Sequence, residues 1–230
     1  TRPGVVECES QPRHGIGTGE VLLRTRITLI SPGTGLALYT GTHSALNDPE
    51  VTFAKFPFYP GYAAISDVVE VGHDVVDARL QPGSRIYHWG KHCAWTVLRP
   101  ANDVWISLGE DVAETRVIFA RLAQISAVAL HRVRAKPDKI LVLGAGMIGN
   151  FCAQWFGLAP NALIVIQDVN GARLALAARC GISNRISGEG EHAAFFGPGG
   201  PDCVVEATGV PALVPDALRW VRRGGDVELE

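Results

Sequence analysis

The chain has 230 residues, 47% of them hydrophobic, with 26 glycines and 14 prolines, which suits a turn-rich globular protein with room for two ordinary domains. Its 21 basic and 23 acidic residues leave a formal charge of −2, so neither nucleic acid nor a membrane surface is expected as a partner. No apolar run approaches the roughly 18 residues of a membrane span, and the first residues lack a signal-peptide core, so a cytoplasmic location is expected.

Residues 1–110 read as a β domain. Val21 to Ile30, Ala64 to Val71 and Ala94 to Leu98 are strand-like, separated by the punctuators Ser31-Pro32-Gly33, Pro60-Gly61 and Gln81-Pro82-Gly83. Short strands at this spacing predict a compact barrel-like domain. From Asp111 the pattern becomes helical, with Val117-Ile118-Phe119, Leu122, Ile125, Val128-Ala129 and Val133 recurring every three to four residues. After Lys136-Pro137-Asp138 the chain alternates strand and helix: strands at 139–143, 162–168, 184–186, 202–206 and 226–229, and helices from Phe151 and from Arg173. That alternation predicts an α/β class with a parallel sheet wound on both faces over residues 111–230. The cysteines Cys8, Cys93, Cys152, Cys180 and Cys203 are odd in number and never in C-x-x-C spacing. Reduced thiols are expected, with Cys152 and Cys203 as small core residues.

The chemistry-bearing stretch is Gly144-Ala145-Gly146-Met147-Ile148-Gly149, a G-x-G-x-x-G between an apolar strand and a helix. Gly144 permits the tight turn, Gly146 lets backbone approach a pyrophosphate, and Gly149 lets helix pack on strand. Met147 and Ile148 offer backbone donors at a helix start whose dipole attracts phosphate. Asp168 ends the next strand 19 residues after Gly149. An acid there bonds the adenosine ribose hydroxyls and repels a 2′-phosphate, which points to NAD as the cofactor. Arg173 is placed along the adenine. Ala207-Thr208-Gly209 follows the fourth strand, where ligands gather in open sheets, although a plain tight turn explains it equally.

Further motifs stand in order along the chain: Leu36-Ala37-Leu38-Tyr39-Thr40-Gly41, Phe58-Tyr59-Pro60-Gly61 leading to Val68-Val69-Glu70-Val71-Gly72, Pro82-Gly83-Ser84-Arg85-Ile86, Glu206-Ala207-Thr208-Gly209 and Gly224-Gly225-Asp226-Val227. Together they resemble the medium-chain dehydrogenase/reductase superfamily, which includes zinc alcohol dehydrogenases and quinone reductases. The resemblance implies a GroES-like substrate and catalytic domain over 1–110. A Rossmann NAD-binding domain would follow over 111–230, with the active site in the cleft between them. The chain stops where the family continues for a sixth strand and a return segment, so it reads as a fragment or a shortened member. Homodimer formation, which that continuation commonly supports, is left open.

Two departures from the family bear on chemistry. Where zinc ligands are expected stand Pro32, Tyr62 and Gln124, and the loop that would hold a structural zinc is too short. Pro32 has no donor side chain, and Tyr and Gln are not usual zinc ligands, so no metal is expected. His88, His92 and Cys93 are near one another, but a loop leading into a strand accounts for them more simply. Thr34 matches the family's relay hydroxyl. Tyr62 reads either as a hydrogen-bond donor or general acid, or as a wall of the substrate pocket. His43 reads as a solvated loop histidine. Together these imply an NAD(H)-dependent, zinc-independent oxidoreductase acting on the carbonyl or secondary alcohol of a small molecule. Tyr59-Pro60-Gly61-Tyr62 is similar to zinc-lacking relatives such as the bacteriochlorophyllide dehydrogenases, hinting at a biosynthetic substrate. The rivals are an NADPH-using enoyl or quinone reductase, and a nucleotide-binding sensor or partner subunit without catalysis.

Overall fold

The computed structural model describes residues 2–13, 15–188 and 190–230, and the chain divides into two units, residues 1–121 and 122–230. In the first unit β1 (Val21–Thr28) is followed by α1 (Thr34–Thr40) and a 3-10 turn at Ser44–Asn47. Then come β2 (Ala64–Val71), β3 (Arg85–His88), β4 (Trp95–Leu98), β5 (Trp105–Leu108) and α2 (Glu114–Val117). The strands form one antiparallel sheet of order β4-β1-β2-β3-β5. The β1–β2 register slips between Leu22 and Leu23 and again between Thr25 and Ile27, irregularities of the kind that bend and twist a strand.

Strand alternation sends side chains into two separate cores. Val21, Leu23, Val68, Leu80, Ile86 and Leu98 form one. Ile65, Tyr87 and Ala63 form the other, which Ile118 closes from the segment after α2. That segment is tied down by Glu114, whose Oε1 accepts from Arg85 Nη1 at 2.7 Å and pairs with Arg26 Nε at 2.8 Å.

The helical run predicted from Val117 to Val133 is divided in the structure. After α2 come α3 (Ala120–Ser126) and α4 (Val128–Arg132). Phe119 and Leu130 close with bonds to the third preceding carbonyl, Arg116 and Ala127. The Ser126 hydroxyl donates back to the Leu122 carbonyl at 2.9 Å, a bond that competes with regular helix.

The second unit continues with β6 (Lys139–Leu143), α5 (Met147–Phe156), β7 (Leu163–Gln167), α6 (Gly171–Arg179), β8 (Asn184–Ile186), α7 (Ala193–Phe196) and β9 (Cys203–Glu206). A 3-10 turn at Pro211–Leu213, α8 (Val214–Trp220) and β10 (Asp226–Leu229) complete it. All pairings are parallel, in the order β10-β9-β6-β7-β8. Ile140, Val142, Ile164, Ile166, Cys203 and Val205 pack on one side under Cys152, Ala153, Phe156 and Ala177. Leu141, Leu143, Val165 and Val204 pack on the other under Phe196 and Ala217. Both faces are covered, which explains the continuous apolar strands. The fold is therefore α/β, an antiparallel β unit followed by a doubly wound parallel sheet. Cys152 and Cys203 are buried, all five cysteines are free thiols, and among the described residues no helix is long and apolar enough to cross a membrane.

Candidate functional site

The chain builds outward from β6, first to β7 and β8 on one side and then back to β9 on the other. β6 and β9 pair side by side, and the direction of building reverses between them, the place at whose strand carboxyl ends open α/β sheets bind ligands. The glycine turn leaves β6 there. Gly144 has φ +95°, and a Cβ on it would lie 2.9 Å from the Ala207 carbonyl oxygen and 3.0 Å from Thr208 Cγ2. The turns after β6 and β9 therefore touch, and only a residue without a side chain fits between them.

The other two glycines do different work. A Cβ on Gly149 would overlap the Gly144 carbonyl oxygen, so this residue permits close packing of α5 on its strand. A Cβ on Gly146 would meet nothing within 4 Å. Gly146 is the N-cap of α5 and has no side chain to satisfy the first-turn amides, which Met147 and Ile148 begin. The space over Gly146 thus opens onto unsatisfied N–H groups at the positive end of a helix dipole, a cradle that fits a diphosphate.

Asp168 follows β7 and is 7% exposed. Its Oδ2 accepts the Ala145 amide at 2.8 Å and its Oδ1 accepts the Asn170 amide at 2.8 Å. Arg173 Nη1 stands 3.5 Å from the same Oδ2, with the arginine side chain 58% exposed. Arg173 sits on the first turn of α6, which Asn170 caps by accepting from the Ala172 amide at 2.9 Å. At the carboxyl end of β9 Glu206, 5% exposed, accepts the Thr208 amide at 2.8 Å and the Thr208 hydroxyl. The Thr208 hydroxyl in turn accepts from the Val210 amide at 3.0 Å, and Gly209 turns the chain at φ +70°. The structure thus brings Gly144, Gly146, Met147, Ile148, Gly149, Asp168, Arg173, Ala207, Thr208 and Gly209 to the carboxyl ends of three adjacent strands. Sequence reasoning missed Ala145, Asn170 and Glu206 as the residues that tie these turns together. An acid just before Ala-Thr-Gly and an asparagine at a helix start were the available signals.

In the first unit, Thr34 is exposed on the first turn of α1, and Tyr62 is half-buried just before β2, packed against the core of Ala63, Ile65, Tyr87 and Ile118. The Leu29 amide donates to the Ala63 carbonyl at 3.1 Å, which sets the stretch leading to Thr34 beside the residue after Tyr62. Pro60 O accepts from the His92 amide at 2.9 Å, fixing the other end of the Tyr62 segment. Pro32 and Gln124 are both exposed. His43 caps the 3-10 turn, its Nδ1 accepting the Ala45 amide at 3.1 Å. His88 is buried with Nε2 at 2.8 Å from the Ser66 hydroxyl, and burial pushes its imidazole down to about 4, against the pull of Asp103. Cys93 is at the surface. Among the described residues, no three His, Cys, Asp or Glu side chains gather to hold a metal ion.

A comparison with protein-family models finds no match. Among curated proteins the chain is similar to D-arabinitol dehydrogenase 1 of Uromyces fabae, 25% identical over 222 residues, covering 80% of this chain and 62% of that enzyme. It is also similar to the L-threonine 3-dehydrogenase of Streptomyces avermitilis, 25% identical over 256 residues, covering 95% of this chain and 71% of that one. Among solved structures, a protein described as a short chain alcohol dehydrogenase of Escherichia coli CFT073, complexed with NADH, matches with a TM-score of 0.78 at 20% identity, covering 99% of this chain and 73% of that one. Likeness of sequence to the curated dehydrogenases and of fold to the solved ones together support membership of the medium-chain dehydrogenase/reductase superfamily.

Proposed function

We propose that the chain belongs to an NAD(H)-dependent, zinc-independent oxidoreductase that moves hydride between nicotinamide and the carbonyl or secondary-alcohol carbon of a small molecule. The observation that carries this reading is the open space over Gly146, bounded by the unsatisfied first turn of α5 and by the buried carboxylate of Asp168. The dehydrogenase names of the curated relatives, and the NADH in the solved neighbour, support the same reaction class.

The cofactor, when bound, supplies or accepts the hydride. The chain's own residues do the rest. The Met147 and Ile148 amides hold the diphosphate, Asp168 bonds ribose hydroxyls, Arg173 lies along the adenosine, and Ala207-Thr208-Gly209 limits the site on the side of β9. Residues 111–230 carry this nucleotide role, and residues 1–110 the substrate role. There Thr34 holds a hydrogen bond to the substrate oxygen, and Tyr62 delivers or withdraws the proton as the carbonyl is reduced or the alcohol oxidised. Zinc independence follows from the donor set: Pro32 has no ligating atom, and Tyr62 and Gln124 are poor ligands where Cys, His and an acid would be required.

The test is a metal analysis of the intact protein, fluorescence titration with NADH and NADPH, and turnover against alcohols, ketones and enones with and without a chelator. NADH binding with chelator-insensitive alcohol or ketone turnover supports the reading. Stoichiometric zinc near Thr34 overturns the metal-free mechanism. NADPH-dependent enone reduction replaces the proposal with a reductase, and NADH binding without turnover replaces it with a sensor.

A further inference from the structure

A second tyrosine lies close to Tyr62 and has no part in the chemistry described so far. Tyr87 stands on β3 opposite Ile65 of β2 and is 3% exposed. Its ring belongs to the core of Ala63, Ile65 and Ile118, the same core on which Tyr62 packs. Two residues on, Trp89 carries the Arg121 guanidinium 4.1 Å from its ring centroid. Burial pushes the Tyr87 phenol above its usual value of 10, the Arg121 charge and backbone N–H pull it down, and the Tyr62 phenol pushes it up. A tyrosine hydroxyl can both accept and donate. The Arg121 groups are donors, so they face only its oxygen. Among the described residues no acceptor stands within hydrogen-bond distance, and the Tyr87 proton is not spent inside the fold. Burying such a proton costs stability, and a phenylalanine would fill the same space without that cost. Buried polar atoms that weaken a fold are expected where they serve a function.

We propose that Tyr87 is a positioning residue for proton transfer at Tyr62, its hydroxyl donating to the Tyr62 oxygen and steadying the negative charge that gathers there. The inference rests on the reading of Tyr62 as the proton-transfer group and deepens it. When a carbonyl is reduced, the Tyr62 O–H bond breaks, its proton goes to the substrate oxygen, and Tyr62 is reprotonated from solvent. The Tyr87 O–H bond stays intact throughout and only shortens its contact with the charged oxygen. When an alcohol is oxidised, the same hydrogen bond holds the Tyr62 oxygen in place to receive the proton. Burial suits this part, because a phenol held above 10 keeps its proton at neutral pH and remains a donor. A donor fixed in a core before the charge develops need not reorganise as the proton moves. Arg121, stacked on Trp89, adds a positive charge acting on the Tyr87 phenol.

The test is a double-mutant cycle on the intact protein, with Tyr62→Phe, Tyr87→Phe and the two together. Each chain is assayed with NAD(H) against a panel of alcohols and ketones for kcat and KM, and its NADH Kd and Tm are measured. Tyr87→Phe keeps the ring and its packing, so its Tm is expected at or above that of the wild type. Its kcat is expected to fall roughly tenfold or more, the worth of one hydrogen bond to a charged oxygen, with KM and the NADH Kd within about threefold. In the Tyr62→Phe background the same change is expected to lower kcat less than about twofold, because the oxygen it serves is gone. A kcat unmoved by Tyr87→Phe, or lowered by the same factor in both backgrounds, overturns the inference and leaves the reading of Tyr62 standing. A kcat unmoved by Tyr62→Phe, or a wild type that turns over no compound of the panel, overturns both.

Discussion

Two neighbouring glycines of one turn should respond to the same substitution in opposite ways. At Gly146, φ −67° and ψ −173° are open to any residue, and the added methyl of Gly146→Ala meets nothing within 4 Å. Restricting the unfolded chain stabilises by about 0.4–1 kcal/mol. Alanine's poorer fit at an N-cap costs about as much, so the unliganded protein should keep its Tm within roughly 2 °C. On the proposed nucleotide reading, the methyl nevertheless stands where diphosphate oxygens would approach the first-turn amides. Losing one or two charge-assisted bonds at about 1.5–3 kcal/mol each should raise the NADH Kd by roughly a hundredfold. At Gly149 the methyl would overlap the Gly144 carbonyl oxygen and sit 3.2 Å from Val142 Cγ1. Both belong to the buried strand and its turn, so Gly149→Ala should cost about 1–3 kcal/mol, lowering Tm by roughly 2–4 °C for each. Thermal unfolding by circular dichroism and NADH titration of the same samples separate the two effects. A folded Gly146→Ala protein that binds NADH within about threefold of wild type would refute the assignment of that open space to the diphosphate.

The His88 imidazole titrates in the fold at about 4, below its usual 6.5, so the unfolded chain binds more protons between those values. Stability should therefore fall by about 3 kcal/mol as pH drops from 6.5 to 4, and His88→Gln should flatten that part of the urea-unfolding profile. Asp202 accepts the Asp138 and Lys139 amides at 3.0 and 2.9 Å and pairs with Arg222 Nε at 2.6 Å. Asp202→Ala should lower the urea midpoint by the equivalent of about 1–3 kcal/mol with the slope m unchanged. Tyr62→Phe should reduce kcat by about a hundredfold with the NADH Kd preserved, whereas an effect confined to KM would make Tyr62 a pocket wall.

The parallel sheet was legible because its strands are buried on both faces and are written as unbroken apolar runs, Ile140 to Leu143 and Ile164 to Ile166 among them. The β unit was legible in Val21–Thr28, Ala64–Val71 and the short Trp95–Leu98, and not in its other two strands. Arg85–His88 and Trp105–Leu108 are four residues each and carry Arg, His and Ser, too short and mixed to announce themselves. The helix α1 was hidden too, since it buries only Leu38 and contains a glycine in its first turn. The run from 117 to 133 shows the limit of periodicity. Its apolar spacing was real, but the third-residue hydrogen bonds and the Ser126 back-bond that divide it are local choices with no periodic signature. The glycine turn after β6 was readable because a turn of fixed geometry demands glycine at fixed places, as at Gly144 and Gly149. Thr34 and Tyr62 lie 28 positions apart on irregular chain, and no spacing rule joins them.

Asp168 illustrates how one residue answers two demands that sequence reading merges. Read from the chain, it is the acid that recognises ribose. In the fold it is also the acceptor for two backbone donors, Ala145 N–H and Asn170 N–H, one on each oxygen. Only a group with two acceptor atoms satisfies both, so the turn needs a carboxylate whether or not a cofactor arrives. Asp168→Asn keeps the size and one acceptor but sets an amide NH2 against a backbone N–H. The unliganded protein should then lose about 1–3 kcal/mol, seen as a Tm lowered by roughly 2–4 °C per kcal/mol. A residue serving ribose alone would weaken nucleotide binding and leave the unliganded Tm untouched. An unliganded Asp168→Asn protein as stable as wild type would show that the two backbone bonds contribute nothing. The acid would then stand there for the cofactor alone.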